Sequence, residues 1–311
     1  ALHGVELSVT DAVPTLENAS LAAGCIGVSI LGQGCIDAAL LDAYHALGIR
    51  YLSTRTIGYD HIDLDHARSI GLRVCSASYA PNGVADFTVM MILMCLRHYK
   101  QALWRGQVND FSLTGLQGRE MKDLTIGIIG TGRIGAQVVR NLSAVGCRIL
   151  AYDLRRNPAV EPQVTYVDSD TLLAQSDVIT LHMPLLDSNR HIINRESVAK
   201  MRDGVVIVNC SRGELADIEA LIEGIETGKI GALGMDTVEG DEGIIHADHR
   251  VDILPNRNWF YLHQFRNVIM TQHMAFYTDA AVSSMVDCGI GGICQMAAGE
   301  SCPTELTGPV Q

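Results

Sequence analysis

The stretch that most limits what this chain can fold into is TIGIIGTGRIGAQVVRNLSAVGCRILAYD, residues 125–153. A β-rich run ends at Gly130, and further glycines follow at 132 and 135. A segment of helical period opens at once, and a second β-rich run closes on Asp153, eighteen residues beyond Gly135. The GxGxxG spacing alone says little, because glycine is common at strand-to-helix turns. In this strand–turn–helix–strand setting each glycine has its own task. Gly130 permits the tight turn, Gly132 lets the backbone approach a pyrophosphate, and Gly135 allows close helix–strand packing. The N–H groups at the helix start supply an anion site. A carboxylate at Asp153 can accept hydrogen bonds from both adenosine ribose hydroxyls and would repel a 2′-phosphate, which selects NAD over NADP. Arg155 and Arg156 stand close enough to bear on that choice.

The same alternation runs through most of the chain and predicts an α/β fold built on parallel sheets. Ahead of the glycine loop, β-rich runs occur at 25–31, 49–54 and 72–75, and one long amphipathic helix is expected from Asn82 to Trp104. After it, runs at 177–182, 204–209, 230–236 and 267–271 continue the pattern. Helical segments fill every gap but the last, which is longer and less regular. Two doubly wound parallel-sheet domains follow, with a discontinuous boundary. Residues 100–274 form a Rossmann-type cofactor domain, and residues 1–99 with 275–311 form the second, substrate domain.

Composition removes several function classes. With a net charge of −12 and no run of Lys or Arg, the chain lacks the basic stripe of a nucleic-acid binder. Nine cysteines, an odd number without a CxxC pair, lie partly within apolar runs. They suit buried thiols of a reducing compartment better than a disulfide frame, and no metal site is expected. The apolar run VMMILMCL stops after eight residues at Arg97, short of a membrane span, and ALHGVELSVT carries no signal-peptide pattern. A soluble cytoplasmic protein is expected.

Several further stretches occur together and in order: STRTIGYDHIDL, SYAPNGVADFTVMMILMCLR, GIIGTGRIG, SDVITLHMPL, GVVIVNCSRGELAD, GKIGALGMD and NVIMTQHMAFYT. With them the chain resembles the D-isomer-specific 2-hydroxyacid dehydrogenases over nearly its whole length, and among members the D-lactate dehydrogenases most. That resemblance implies a cofactor domain inserted into a flavodoxin-like substrate domain, and NAD as cofactor. It also implies a homodimer built through the cofactor domain, and reversible reduction of a small 2-oxo acid, pyruvate to D-lactate foremost. (R)-2-hydroxyglutarate and 2-hydroxyisocaproate or phenyllactate dehydrogenases are the alternatives, as is a non-catalytic NAD-sensing scaffold on the same fold.

The site residues implied by the resemblance are these. Arg212 would bind the substrate carboxylate and polarise the 2-oxo group, for which a permanently charged, bidentate guanidinium is suited. His273 would be the general acid–base. Arg133 and Ile134 would flank the pyrophosphate, and Met183, Pro184, Asn189 and Cys210 would line the adenosine and nicotinamide paths. Asp236 would hold the nicotinamide carboxamide. The backbone of Ile57 and Gly58 would take the substrate carboxylate, with Tyr79 and Phe276 shaping the pocket.

The chain departs from the family pattern in three places. DTVEGD carries Asp241 where a glutamate usually orients the catalytic histidine. An aspartate reaches about 1.5 Å less far. Asp241 is favoured for that role, with the adjacent Glu242 or a weakened pairing as alternatives, and Glu239 and Glu242 are expected to be peripheral. Gln272 replaces a common proline just before His273, and the family's first strand and helix are expected ahead of ALHGVELSV but are missing there.

Overall fold

Among the described residues, every named strand runs parallel to the strand it pairs with, as the helical length of the connections requires. The computed structural model describes residues 4–32, 34–254 and 256–308. These form two units. One is Pro81–Phe276, and the other comprises the described residues up to Ala80 and from Tyr277 onward.

The second of these units carries strands β1 (Gly27–Ile30), β2 (Tyr51–Thr54) and β3 (Arg73–Cys75), in the order β1-β2-β3. Helices α1 (Ala38–Ala46) and α2 (Leu64–Ser69) connect them, each capped by the aspartate just before it, Asp37 and Asp63. A 3-10 helix over Leu16–Ala22 precedes β1. The C-terminal helix α10 (Asp279–Ala297) packs against all three strands. Its glycines make that approach possible: a Cβ on Gly292 would sit 2.6 Å from the Cys75 sulfur. Among the described residues α10 is the helix long and apolar enough to cross a membrane, and here that apolar surface is partly spent on the sheet. The chain beyond α10 returns to β3, where Glu305 accepts a two-pronged bond from Arg73 at 2.8 and 2.7 Å.

The other unit is built on a seven-stranded sheet. Its strands are β4 (Thr125–Ile129), β5 (Arg148–Tyr152), β6 (Thr165–Tyr166), β7 (Val178–Leu181), β8 (Val205–Asn209), β9 (Ile230–Met235) and β10 (Val268–Met270). The order β10-β9-β8-β7-β4-β5-β6 reverses direction between β4 and β7, the switch point beside which a doubly wound sheet binds ligands. β4, β7 and β8 are buried at every residue, which explains why they read as unbroken apolar runs. The glycine loop leads into α5 (Arg133–Ser143), which buries Ala136, Val138, Val139 and Leu142. Helices α6 (Ser169–Gln175), α7 (Arg195–Lys200) and α8 (Ile218–Glu226) fill the later crossovers, and α9 (Arg257–Gln264) fills part of the gap expected to be irregular.

Two expectations need correction. The single helix from Asn82 to Trp104 is two helices, α3 (Asn82–Leu96) and α4 (Tyr99–Gln107), because His98 between them adopts a left-handed conformation, φ 49°. The boundary also lies at Pro81 and Tyr277 rather than at 100 and 275. Helix α3 belongs with the seven-stranded sheet, packing on α5, β8 and β9. The contact is tight, since a Cβ on Gly234 of β9 would lie 3.2 Å from the Cys95 sulfur and 3.4 Å from the Met91 methyl.

Lys100 fixes α4 to the far edge of that sheet. Its ammonium donates to the carbonyl oxygens of His263, Phe265 and Val268 at 2.9, 2.9 and 2.7 Å, closing the end of α9 against β10. Burial lowers its pKa, and the three carbonyl acceptors offset the desolvation of the ammonium. Lys100→Met is expected to cost about 2 kcal/mol, read as a lower urea midpoint with an unchanged slope.

Candidate active site

The C-terminal ends of β4, β5, β7, β8, β9 and β10 carry, in turn, the glycine loop, Asp153, the Met183–Asn189 loop, Arg212, Asp241 and His273. All lie in one unit and on the loop edge where a parallel sheet places its ligands. The glycine loop fits a dinucleotide. Gly130 has φ 93°, and a Cβ there would strike the His182 carbonyl oxygen at 2.6 Å. A Cβ on Gly135 would collide with the Gly130 carbonyl. At Gly132 it would meet nothing within 4 Å, so the backbone faces open space where a pyrophosphate can approach. Arg133 is exposed beside it, Ile134 is half-buried, and the α5 N–H groups point at the same space.

Asp153 is held ready at the tip of β5. One oxygen accepts from the Thr131 N–H and hydroxyl at 2.6 and 3.0 Å, and the other from the Arg155 N–H at 2.9 Å. A carboxylate offers about four acceptor sites, so capacity is left for a ribose hydroxyl. The guanidinium of Arg156 lies 5.5 Å over the Tyr166 ring.

After β7 the chain closes on itself. The Asn189 amide donates to the Pro184 carbonyl at 2.8 Å and reaches the Met183 sulfur at 3.3 Å, while its oxygen accepts from the Leu186 N–H at 2.8 Å. The Ser211 hydroxyl donates to the Met183 carbonyl at 2.6 Å and so couples this loop to the turn of Arg212. His182, the other histidine at a strand end, is buried, and desolvation pushes its pKa down to about 3. Burial thus favours its neutral form.

Arg212 is half-buried and begins the turn Gly213–Leu215. Its carbonyl accepts from the Asn209 amide at 2.7 Å, and one of its own N–H groups donates to the Ser211 carbonyl at 2.9 Å. Cys210, expected along the cofactor path, is instead 9 % exposed, and burial raises its thiol pKa, with the Asp236 carboxylate adding to the shift.

Asp236 is 1 % exposed, and both oxygens accept from its own chain. One accepts from the Thr271 hydroxyl at 2.6 Å and the Met274 N–H at 2.9 Å; the other accepts from the Ala275 N–H at 2.9 Å. These donors bracket His273, whose backbone is left-handed with φ 52°. The His273 ring meets Phe276 edge-on at 6.3 Å and lies 6.2 Å from the ring of His246, whose Nε2 is 3.4 Å from the His273 carbonyl. Neither the bracket nor His246 was legible beforehand, since both depend on how the loops after β9 and β10 fold back.

Asp241 closes the turn Val238–Asp241 in both directions. Its N–H donates to the Val238 carbonyl and its carboxylate accepts from the Val238 N–H, each at 3.2 Å, around Gly240 at φ 75°. Burial pushes its pKa up to about 6, with Glu242, Glu214 and Asp236 adding to the shift. In the other unit, Ile57 and Gly58 follow β2 in a turn where the Thr56 hydroxyl donates to the Gly58 carbonyl at 2.7 Å. Tyr79 is half-buried on the segment after β3.

Replacing Asp236 by Asn would turn an amide donor toward backbone N–H groups that need an acceptor. Asp236→Asn is expected to lower stability by about 2 kcal/mol and kcat by about tenfold or more. Melting and steady-state kinetics on one preparation would check both.

Comparison with known proteins places this geometry. Residues 89–275 match the family described as D-isomer specific 2-hydroxyacid dehydrogenase, NAD binding domain. An aromatic 2-oxoacid reductase of Clostridium sporogenes is 42% identical over 287 residues, covering 92% of this chain and 86% of that protein. A D-lactate dehydrogenase of Lactobacillus delbrueckii subsp. bulgaricus is 39% identical, covering 91% and 85%. The apo-structure of D-lactate dehydrogenase from Escherichia coli superposes with a TM-score of 0.87 at 36% identity, over 98% of this chain and 93% of that one. The chain belongs to the D-isomer-specific 2-hydroxyacid dehydrogenases, NAD-dependent oxidoreductases that act on the CH–OH group of D-2-hydroxy acids.

Proposed function

We propose that this enzyme reduces a small monocarboxylic 2-oxo acid, with pyruvate to D-lactate as the leading reaction. The observation that carries the reading is the placement of Arg212, Asp241 and His273 on the loops after three adjacent strands, β8, β9 and β10. Arg212 holds the 2-oxo acid and stabilises charge developing on its oxygen. His273 gives a proton to that oxygen on reduction and takes it back on oxidation. Asp241 favours the imidazolium form of His273. NADH, when bound, supplies the hydride. Ile57, Gly58 and Tyr79 contribute to substrate recognition, as does Phe276.

Aromatic 2-oxo acids form a second reading, favoured by the 42% identity to the Clostridium sporogenes reductase. NADH oxidation with pyruvate, phenylpyruvate, 2-oxoisocaproate and 2-oxoglutarate in turn decides. The highest kcat/KM with pyruvate supports the first reading, and the highest with phenylpyruvate the second. His273→Ala is expected to lower kcat by about 10³-fold while NADH still binds. Turnover near that of the parent would remove His273 from the chemistry.

Asp241 carries a linked pair of expectations. Its folded-state pKa lies above that of an exposed aspartate, so between about pH 4 and pH 6 the folded chain holds the proton more tightly than the unfolded chain. Stability is therefore lost as pH rises through that window and is not regained above it. Asp241→Asn should melt higher than the parent at pH 8 and no higher at pH 4, while its kcat falls. Glu242→Gln should keep both the parent's turnover and its pH profile. The opposite pattern would give the pairing role to Glu242.

A second copy of the chain is the proposed partner, and the enzyme is proposed to be cytoplasmic. Tyr99, Leu103, Trp104, Val108, Phe111 and Leu113 are 46–83% exposed along α4 and the arm that follows it. An apolar surface of this kind is expected to be covered by a like surface in a two-fold dimer. Light scattering should give a dimer for the parent and a monomer for the Trp104→Glu, Phe111→Glu double variant.

A further inference from the structure

We infer that Glu239 and His191, outside the groups assigned to the chemistry, form a clasp that sets the position of Arg212 relative to Asp241. The inference rests on the assignment of Arg212 and Asp241 made above and adds two positioning residues to it.

The clasp is short and joins three loops. His191 Nε2 lies 2.6 Å from Glu239 Oε1, with the two side chains 37% and 23% exposed. A carboxylate only accepts, so Nε2 carries the proton. The His191 N–H donates to the Glu214 carbonyl at 2.8 Å, two residues past Arg212. Glu239 lies two residues before Asp241. A continuous path therefore runs from Arg212 through Glu214, His191 and Glu239 to Asp241, by two hydrogen bonds and short lengths of chain.

Independent features show that this contact is built rather than incidental. His191 is left-handed, φ 53°, a conformation that is unfavourable for a side-chain-bearing residue and persists only where neighbours hold it. The Asn194 amide holds the His191 carbonyl at 2.9 Å, and the Ile193 N–H donates to the Leu215 carbonyl at 3.0 Å. The other Glu239 oxygen faces the Ile218 N–H at the start of α8, at 3.5 Å, and Arg190 approaches Glu239 at 3.5 Å. A Cβ on Gly213 would run into the backbone of Val238 and Glu239, so the turn of Arg212 and the turn of Asp241 touch backbone to backbone. Glu239 thus stands at the junction where the loop after β7, the turn after β8 and the turn after β9 meet. A substrate held by Arg212 and a histidine oriented by Asp241 must be aligned within a fraction of an ångström.

The experiment compares Glu239→Ala, Glu239→Gln, His191→Ala and the Glu239→Ala, His191→Ala double variant, with Arg212→Ala as a control. For each, kcat and KM with the preferred 2-oxo acid, NADH affinity by fluorescence, and the melting midpoint are measured. Glu239→Ala and His191→Ala should each lower kcat about tenfold or more, leaving NADH affinity within about twofold. The double variant should be no worse than the worse single, because both act through one bond. Glu239→Gln keeps an acceptor oxygen and should recover most of the turnover, which loss of packing alone would not produce. Parental kcat in Glu239→Ala, additive losses in the double variant, or a loss confined to NADH affinity would each overturn the clasp. Parental turnover in Arg212→Ala would instead overturn the underlying assignment, so the two failures are told apart.

Discussion

One buried carboxylate governs the arrangement at the end of the seven-stranded sheet. Asp236 sits at 1 % exposure immediately after β9, where an unpaired charge would cost several kcal/mol. It persists because the neighbouring strand's exit supplies three donors, the Thr271 hydroxyl and the Met274 and Ala275 N–H groups. Those donors bracket His273 and leave its backbone in the left-handed region. The pairing of β9 with β10 brings the two strand ends side by side, and the buried charge then dictates how the chain must turn as it leaves β10. Register, charge compensation and the placement of an imidazole form one linked constraint.

Much of this was legible in the sequence, and what was legible shares a physical character. The glycine loop and Asp153 are short-range features whose chemistry is complete within a few residues. Buried parallel strands announce themselves as unbroken apolar runs. What escaped was decided by tertiary contact. The apolar face of α3 fits either unit by pattern, and only its packing against α5, β8 and β9 assigns it. Strand β6, two residues long, has no periodicity to read. The donors to Asp236 escaped because nothing local reveals that Thr271, Met274 and Ala275 come to meet it.

Glu239 illustrates the same limit. In the string DTVEGD it is one of several acids in a loop, and by composition it is peripheral. Its partner His191 is forty-eight residues away, across α7, β8, α8 and β9. No periodicity links the two positions, whereas the parallel order of β7, β8 and β9 makes their exits neighbours. The topology that makes a doubly wound sheet versatile also hides its supporting contacts from a linear reading.

The shorter acid at position 241 is better understood with its turn in view. An aspartate there does more than stop one methylene short, because its carboxylate folds back to accept from the Val238 N–H and closes a turn that Gly240 makes possible. A local bond of this kind trades reach for rigidity: the group is placed by its own backbone rather than by a long, mobile side chain. Burial with Glu242, Glu214 and Asp236 nearby then raises its proton affinity to about 6, close to the ordinary pKa of an imidazole. The same burial that holds the carboxylate in its turn also raises its proton affinity.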